Sequence, residues 1–114
     1  IDDVIESIMR LIIKPPAYNN SFDFKNINPS NSWAPYKIFN VGNSNPTNLM
    51  DYIKAIEKHL GIKPEIIFEE MQPGDVEITY ADTKLLEEWV NFRPSTSIDE
   101  GIKKFIDWYL NYYK

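Results

Sequence analysis

The chain has 114 residues, of which 43% are hydrophobic and 25% charged, with a net charge of −5 and no cysteine. This composition is ordinary for one small globular domain or for part of a larger one. The acidic balance argues against a nucleic-acid-binding protein, which normally presents a basic surface. Without cysteine, these residues form neither a disulfide framework nor a thiolate metal site.

The sequence also shows no targeting signal. No apolar run approaches the roughly 20 residues that span a bilayer, and no signal peptide is visible. We therefore expect a cytoplasmic protein without a membrane partner. The first residues, Ile1-Asp2-Asp3, already have the pattern of a helix start, which favours a portion of a longer protein.

A first helix is predicted from apolar residues that recur at steps of three and four. The two aspartates suit the positive end of its dipole, and Pro15-Pro16 ends it. Its apolar face consists of Val4, Ile5, Ile8, Met9, Ile12 and Ile13.

A long loop rich in asparagine, residues 17–35, follows that helix. Loops of this length are often functional or disordered, and the sequence alone does not say which. Tyr36 to Val41 is predicted to be a short strand, and Glu65 to Glu70 a second one. The helix between them ends at Gly61, and its apolar face carries Leu49, Tyr52, Ile53, Ile56 and Leu60.

Two more helices are predicted in the last third of the chain. Asp82 caps the first of them, which carries Leu85, Leu86 and Trp89, and Asn91 ends it in the left-handed conformation. A capping box at Ser97 to Glu100 opens the last helix. The buried stripe of that helix is expected to contain Ile98, Ile102, Phe105, Ile106 and Tyr109.

This order of elements predicts an α/β fold that is mostly helical with a few short strands. Two strands alone make a poor sheet, which is a second indication that part of the protein lies outside this chain.

Common catalytic and cofactor motifs are not found in the sequence. The four glycines, Gly42, Gly61, Gly74 and Gly101, are far apart, whereas a dinucleotide site needs closely spaced glycines at a strand-to-helix turn. The single histidine, His59, lies in the last predicted turn of a helix, where a cation suits the dipole. No cofactor, metal or catalytic residue is therefore assigned within the chain.

The pair Tyr80 and Lys84 has the spacing of the catalytic tyrosine and lysine of short-chain dehydrogenases. That spacing works because residues four apart share one face of a helix. Here Tyr80 is expected to precede the helix that Asp82 caps, so the two side chains need not be neighbours. We assign the pair no catalytic role.

The segment Gln72-Pro73-Gly74-Asp75 predicts a type II turn, in which glycine supplies a positive φ. Such a turn presents the residues at its ends rigidly. Asp75 could then accept hydrogen bonds from two adjacent ribose hydroxyls, and Gln72 could donate one to a phosphate or sugar oxygen. Turn chemistry alone equally allows Asp75 to bond only backbone amides and Gln72 to be solvated.

Five segments in order resemble the C-terminal part of nucleotide-sugar epimerases, which are extended short-chain dehydrogenase/reductase enzymes. They are Ile1-Asp2-Asp3-Val4, Phe39-Asn40-Val41-Gly42-Asn43, Gln72-Pro73-Gly74-Asp75, Tyr80-Ala81-Asp82, and Phe92-Arg93-Pro94 followed by Ser97-Ile98-Asp99-Glu100-Gly101. The resemblance covers nearly the whole chain. The form Met71-Gln72-Pro73-Gly74-Asp75-Val76 is most similar to UDP-glucuronate 4-epimerases.

The resemblance implies that residues 1–114 are the nucleotide-sugar-binding portion of an enzyme whose NAD-binding Rossmann domain lies elsewhere. That enzyme would epimerise a UDP-sugar at C4 through a 4-keto intermediate, and this portion would be inactive alone. By position, Asp75 would bind the ribose, Gln72 would stand where relatives have an arginine near the diphosphate, and Thr79 would line the sugar pocket. A neutral amide at Gln72 weakens the contact with the diphosphate, so another basic residue should help.

Two alternatives stay open at this point. The chain could belong to a related nucleotide-sugar dehydratase or decarboxylase, or it could be a free-standing interaction domain. The resemblance also implies a homodimeric parent protein. Because the second predicted helix and the strand before it would lean on the missing domain, the chain alone is expected to self-associate.

Overall fold

The computed structural model describes residues 1–76 and 78–113. Within them the regular elements are four helices, α1 (Asp2–Ile13), α2 (Leu49–Leu60), α3 (Lys84–Val90) and α4 (Ile98–Tyr112). All four helices match helices expected from the sequence. The mostly helical part of the fold prediction is thus confirmed.

The chain divides into two compact units. The first unit consists of Ile1–Ser44 and Tyr80–Ser95, and the second of Asn45–Thr79 and Thr96–Lys114. The first unit therefore contains α1 and α3, and the second contains α2 and α4.

The ends of the helices follow the local sequence signals closely. Gly61 ends α2 with φ +72°, and Asn91 follows α3 in the left-handed conformation with φ 49°. Ser97 Oγ accepts the N–H of Glu100 at 3.2 Å, as in a capping box. The Glu100 carboxylate pairs with Lys104 at 2.8 Å. These predictions succeed because each rests on residues within one turn of the helix end.

The start of α3 differs by one residue from the prediction. Thr83, not Asp82, occupies the cap position and makes no side-chain cap bond. Its hydroxyl instead donates to the Glu87 carboxylate at 2.7 Å. Asp82 still accepts the N–H of Lys84, the first helical residue, at 3.1 Å, so the predicted cap bond exists one position outside the helix.

The two predicted strands are wrong for the described residues. Tyr36 to Val41 forms only an isolated antiparallel bridge, between Lys37 and Asn31. Glu65 to Glu70 is exposed throughout and belongs to no strand. A strand needs a neighbour to pair its backbone groups and cover its face, and the described residues supply none. The α/β description of this chain is corrected accordingly.

The asparagine-rich loop, residues 17–35, closes on itself. The N–H of Asn19 donates to the carbonyl of Trp33 at 2.9 Å, which brings the loop ends together. Asx turns fold the interior, since the Asn28 carboxamide accepts the N–H of Ser30 at 2.9 Å and the Asp23 carboxylate accepts that of Lys25 at 2.8 Å. The asparagines and aspartate thus replace regular backbone hydrogen bonds.

In the first unit, α1 and α3 cap each other's C-terminal ends. Arg10 Nη1 lies 3.3 Å from the carbonyl of Val90 and 3.2 Å from that of Asn91, and Lys14 Nζ donates to the carbonyl of Trp89 at 2.6 Å. In return, Trp89 Nε1 donates to the carbonyl of Lys14 at 2.9 Å. Because α3 has no basic residue in its own last turn, α1 supplies the cations that its dipole favours there.

The apolar face predicted for α1 is not the face that the first unit buries. The buried residue of α1 is Ser7, whose hydroxyl donates to the carbonyl of Asp3 at 2.7 Å. The helix meets α3 along its Arg10 side, where Leu86 and Val90 form the buried core. The apolar residues Val4, Ile5, Ile8, Met9, Ile12 and Ile13 remain exposed. The periodicity was right about the helix but not about what it packs against.

The core of the second unit lies between α2 and α4, where Ala55 and Ile106 are buried. This corrects two predicted stripes. On α2, Leu49, Tyr52 and Ile56 are exposed. On α4, Phe105 and Tyr109 are exposed as well. The small side chain of Ala55 brings α4 onto a neighbouring part of the α2 surface.

A polar cluster joins the end of α2 to the start of α4. The Asp99 carboxylate accepts from Lys58 Nζ at 2.7 Å and lies 2.9 Å from His59 Nε2. Hydrogen bonds from Lys58 and then His59 lower the pKa of Asp99 below its usual value. Asp99 also sits in the first turn of α4, where a negative charge suits the dipole.

Replacing Trp89 by phenylalanine should loosen the first unit, because it keeps the ring but removes the hydrogen bond to Lys14. We expect a loss of about 1 kcal/mol, which is about a fivefold faster hydrogen exchange of the α1 and α3 amides. Trp33→Phe is the matched control, since Trp33 is half exposed and contacts neither helix end by such a bond. Equal exchange rates in the two variants would contradict the mutual capping.

Asp99→Asn should lower the urea midpoint of unfolding at pH 7. The pKa of Asp99 is lower in the folded chain than the ordinary value of 3.8, so its charge stabilises the fold fully above pH about 4. That contribution is lost as the pH falls through the folded pKa. Midpoints measured from pH 7 to pH 2 should therefore converge for the two proteins at the acid end. Asp51→Asn, which removes a pair within α2 itself, should shift the midpoint less, and a larger shift there would contradict the role of Asp99.

Candidate functional site

The turn from Gln72 to Asp75 has the geometry that its sequence predicts. The N–H of Asp75 donates to the carbonyl of Gln72 at 3.1 Å, and Gly74 has φ +97°. A side chain at position 74 would strain this backbone. The type II turn is therefore confirmed.

The side chains at both ends of the turn are free to meet a ligand. Gln72 and Asp75 are exposed, and the hydrogen bond that closes the turn uses only backbone atoms. A carboxylate in this setting can accept hydrogen bonds at both oxygens. The residue that follows Asp75 and Val76, Glu77, lies outside the described residues.

An open cleft of about 640 Å³ lies beside the turn within the second unit. One wall is the extended segment after the turn, where Val76, Ile78 and Thr79 face the cleft. The other wall is the start of α2, with Leu49 and Tyr52, and the residues that lead into it, Pro46, Thr47 and Asn48. The structure thus places Thr79 on the cleft, whereas Gln72 and Asp75 are not among the residues that line it.

The start of α2 was not assigned to the site from the sequence. Asn48 caps α2 by accepting the N–H of Met50 at 2.8 Å, and this fixes Leu49 at the mouth of the cleft. The signal was present as Asn-Pro-Thr-Asn before an apolar helix, which is typical of a capped helix start. Which chain segment would face it could not be read from that signal.

The side chains that line the cleft carry no formal charge. In the sequence, no lysine or arginine occurs between Lys63 and Lys84, whereas Glu65, Glu69, Glu70 and Asp75 fall in that interval. An anionic ligand would therefore gain hydrogen bonds but no ion pair from this segment. This agrees with the expectation that a basic residue must come from elsewhere.

Other residues singled out in the sequence lie apart from this cleft. Tyr80 precedes α3, which begins at Lys84, so the prediction that the pair does not share a helix is confirmed. His59 contacts Asp99 at the end of α2. Within residues 1–76 and 78–113 no group of three side chains is arranged to hold a metal ion, and no helix there is long and apolar enough to cross a membrane.

A smaller cleft of about 260 Å³ lies in the first unit. The ends of the asparagine-rich loop form one side of it, and Lys37 and Trp89 form another. The Lys37 ammonium lies 4.4 Å from the centroid of the Trp89 ring, on which Lys14 also rests at 5.2 Å. These contacts anchor the loop to α3.

Comparison with known proteins finds relatives along the whole chain, although no family model matches. Protein CapI of Staphylococcus aureus is 43% identical over 114 residues, which cover all of this chain and 34% of CapI. A probable UDP-glucuronate 4-epimerase of Rhizobium meliloti (strain 1021) is 36% identical over 115 residues, again all of this chain and 34% of that protein.

A plant enzyme shows a shorter match. UDP-glucuronate 4-epimerase 1 of Arabidopsis thaliana is 41% identical over 81 residues, which cover 70% of this chain and 19% of that protein. The chain thus spans about a third of the length of the relatives that it matches from end to end. The resemblance predicted from five short segments is confirmed: the chain is a homologue of nucleotide-sugar epimerases, the UDP-glucuronate 4-epimerases among them.

Proposed function

We propose that residues 1–114 are the C-terminal, nucleotide-sugar-binding portion of an NAD-dependent UDP-sugar 4-epimerase of the extended short-chain dehydrogenase/reductase family. The observation that carries the proposal is the type II turn at Gln72–Asp75, held by Gly74 and set beside an open cleft. Homology over the full chain to proteins named UDP-glucuronate 4-epimerase favours UDP-glucuronate as the substrate. A soluble, cytoplasmic, homodimeric parent enzyme is part of the same proposal.

In this proposal Asp75 binds the ribose. Its two carboxylate oxygens accept hydrogen bonds from the 2′ and 3′ hydroxyls, which lie side by side on the ring. Charged acceptors form stronger hydrogen bonds than neutral ones, and the backbone bond from Asp75 to Gln72 keeps the carboxylate from swinging away. The positive φ of Gly74 makes this placement possible.

Gln72 and Thr79 take lesser roles. The amide of Gln72, at the other end of the turn, donates to an oxygen of the diphosphate without adding charge. Thr79 lines the cleft and offers a small hydroxyl on the side where the sugar would lie. Because the lining is uncharged, the electrostatic part of diphosphate binding falls to a cation from the rest of the enzyme.

The cofactor does not fit this chain. A dinucleotide needs glycines clustered at a strand-to-helix turn, and here the two glycines with positive φ, Gly61 and Gly74, end a helix and form a turn. NAD and the catalytic tyrosine and lysine therefore belong, in this proposal, to the part of the enzyme outside these residues, and the chain alone is inactive.

Asp75→Ala in the full-length enzyme should raise KM for UDP-glucuronate by about tenfold to a hundredfold. The reason is the loss of hydrogen bonds to a charged group, worth about 1.5–3 kcal/mol. The reacting sugar carbon is remote from the ribose, so kcat should change by less than about threefold. Steady-state kinetics of the two proteins measure both parameters.

Glu69→Ala is the matched control, since Glu69 is an exposed acid on the same extended segment. It should leave KM unchanged. Asp75→Asn should give an intermediate KM, because an amide keeps one acceptor oxygen and loses the charge. An unchanged KM for Asp75→Ala, or an equal rise for Glu69→Ala, would remove Asp75 from the site.

A further inference from the structure

The second half of α4 carries a row of exposed aromatic rings. Phe105 and Trp108 are each 53% exposed and Tyr112 is 68% exposed. The rings rest on one another, with centroids 5.9 Å apart for Phe105 and Trp108 and 5.4 Å apart for Trp108 and Tyr112. We call Gly101, Phe105, Trp108 and Tyr112 the ring row, because steps of four, three and four residues place them on one side of a helix.

The ring row is separate from the face that packs on α2. Ile106 is the buried residue of α4, and it lies roughly a third of a helical turn away from the row. The polar residues Asp99 and Lys58 connect the helices on that other side as well. Packing within the second unit therefore leaves the row uncovered.

Gly101 is unexplained by the packing of the described chain. A glycine inside a helix lowers helix stability relative to alanine. Its φ is not positive, and a Cβ there would meet Thr96 Cγ2 first, at an ordinary 3.9 Å. Neither backbone conformation nor a close neighbour thus requires glycine. Its effect is to leave a notch in the row, one turn before Phe105.

We propose that the ring row is a contact surface for a second copy of this chain, with the two α4 helices antiparallel. In that alignment Gly101 of each copy faces Tyr112 of the other, and Phe105 faces Trp108. The notch then receives the largest exposed ring of the row, and the two central rings stack. The row is complementary to itself only in this antiparallel sense, since a parallel pair would set glycine against glycine.

The charges beside the row agree with the same alignment. Glu100, Lys104 and Asp107 flank it on one side, and Lys104 of each copy comes opposite Asp107 of the other. The ion pairs that these residues make within the helix, Lys104 with Glu100 and Asp107 with Lys103, are exposed and easily extended into a network. An acidic chain with net charge −5 would gain no such complementarity at an anionic lipid surface.

The area is sufficient for a specific dimer contact. Aromatic side chains bury roughly 150–250 Å² each, so the row with its neighbour Tyr109 exposes roughly 400 Å² of ring surface per copy. Two copies with their polar flanks would bury about 1,000 Å² together, which reaches the lower range of specific interfaces. One copy seated on another thus covers the row without further elements.

Thiol cross-linking in the full-length protein tests the proposal without altering the row. Lys104→Cys places a thiol beside the row, near the two-fold axis, in a background whose other cysteines are replaced by serine. Lys103→Cys is the matched control, because Lys103 is about as exposed as Lys104 but points to the opposite side of α4. A short bis-maleimide should cross-link the first variant into a dimer at least tenfold faster than the second.

Gly101→Leu, combined with Lys104→Cys, provides the second arm. Filling the notch should slow cross-linking at least fivefold while the circular dichroism of the helices is retained. Equal cross-linking at both positions, or none at position 104, would overturn the proposal, the latter because another part of the protein or another macromolecule covers the row. Cross-linking that survives Gly101→Leu unchanged would overturn the proposed alignment.

Discussion

Polar bonds at helix ends hold both units of this chain together, because few apolar side chains are buried. In the first unit Arg10 and Lys14 bind the last carbonyls of α3, and the Trp89 indole returns a bond to α1. In the second, Asp99 at the start of α4 binds the two basic residues that end α2. In both cases one helix satisfies the dipole or the unpaired groups of another.

This constraint also explains where the candidate site can form. Helices joined at their ends leave the segments between them extended and exposed, as from Gly61 to Val76. Within that segment one backbone torsion, the positive φ of Gly74, fixes the turn that presents Asp75. The cleft beside it needs only the capped start of α2 as a second wall. A small amount of regular structure therefore suffices to place a binding turn.

The sequence predicted well whatever depends on neighbours along the chain. The left-handed Asn91, the end of α2 at Gly61 and the turn at Gly74 all appear where local residue chemistry puts them. The strands failed because strand formation depends on a partner that the described residues do not contain. The apolar face of α1 failed for a related reason, since periodicity reports a helix but not the surface that covers it.

The candidate site shows the same division. The turn and the exposure of Asp75 follow from four residues, whereas the pairing of Thr79 with the start of α2 depends on how distant segments fold together. The decisive measurement is a structure of the full-length protein with UDP-glucuronate bound. We predict a ribose hydroxyl about 2.5–3.0 Å from an Asp75 carboxylate oxygen, with the nucleotide against the 72–75 turn. A nucleotide bound elsewhere, with Asp75 facing solvent, would contradict the account.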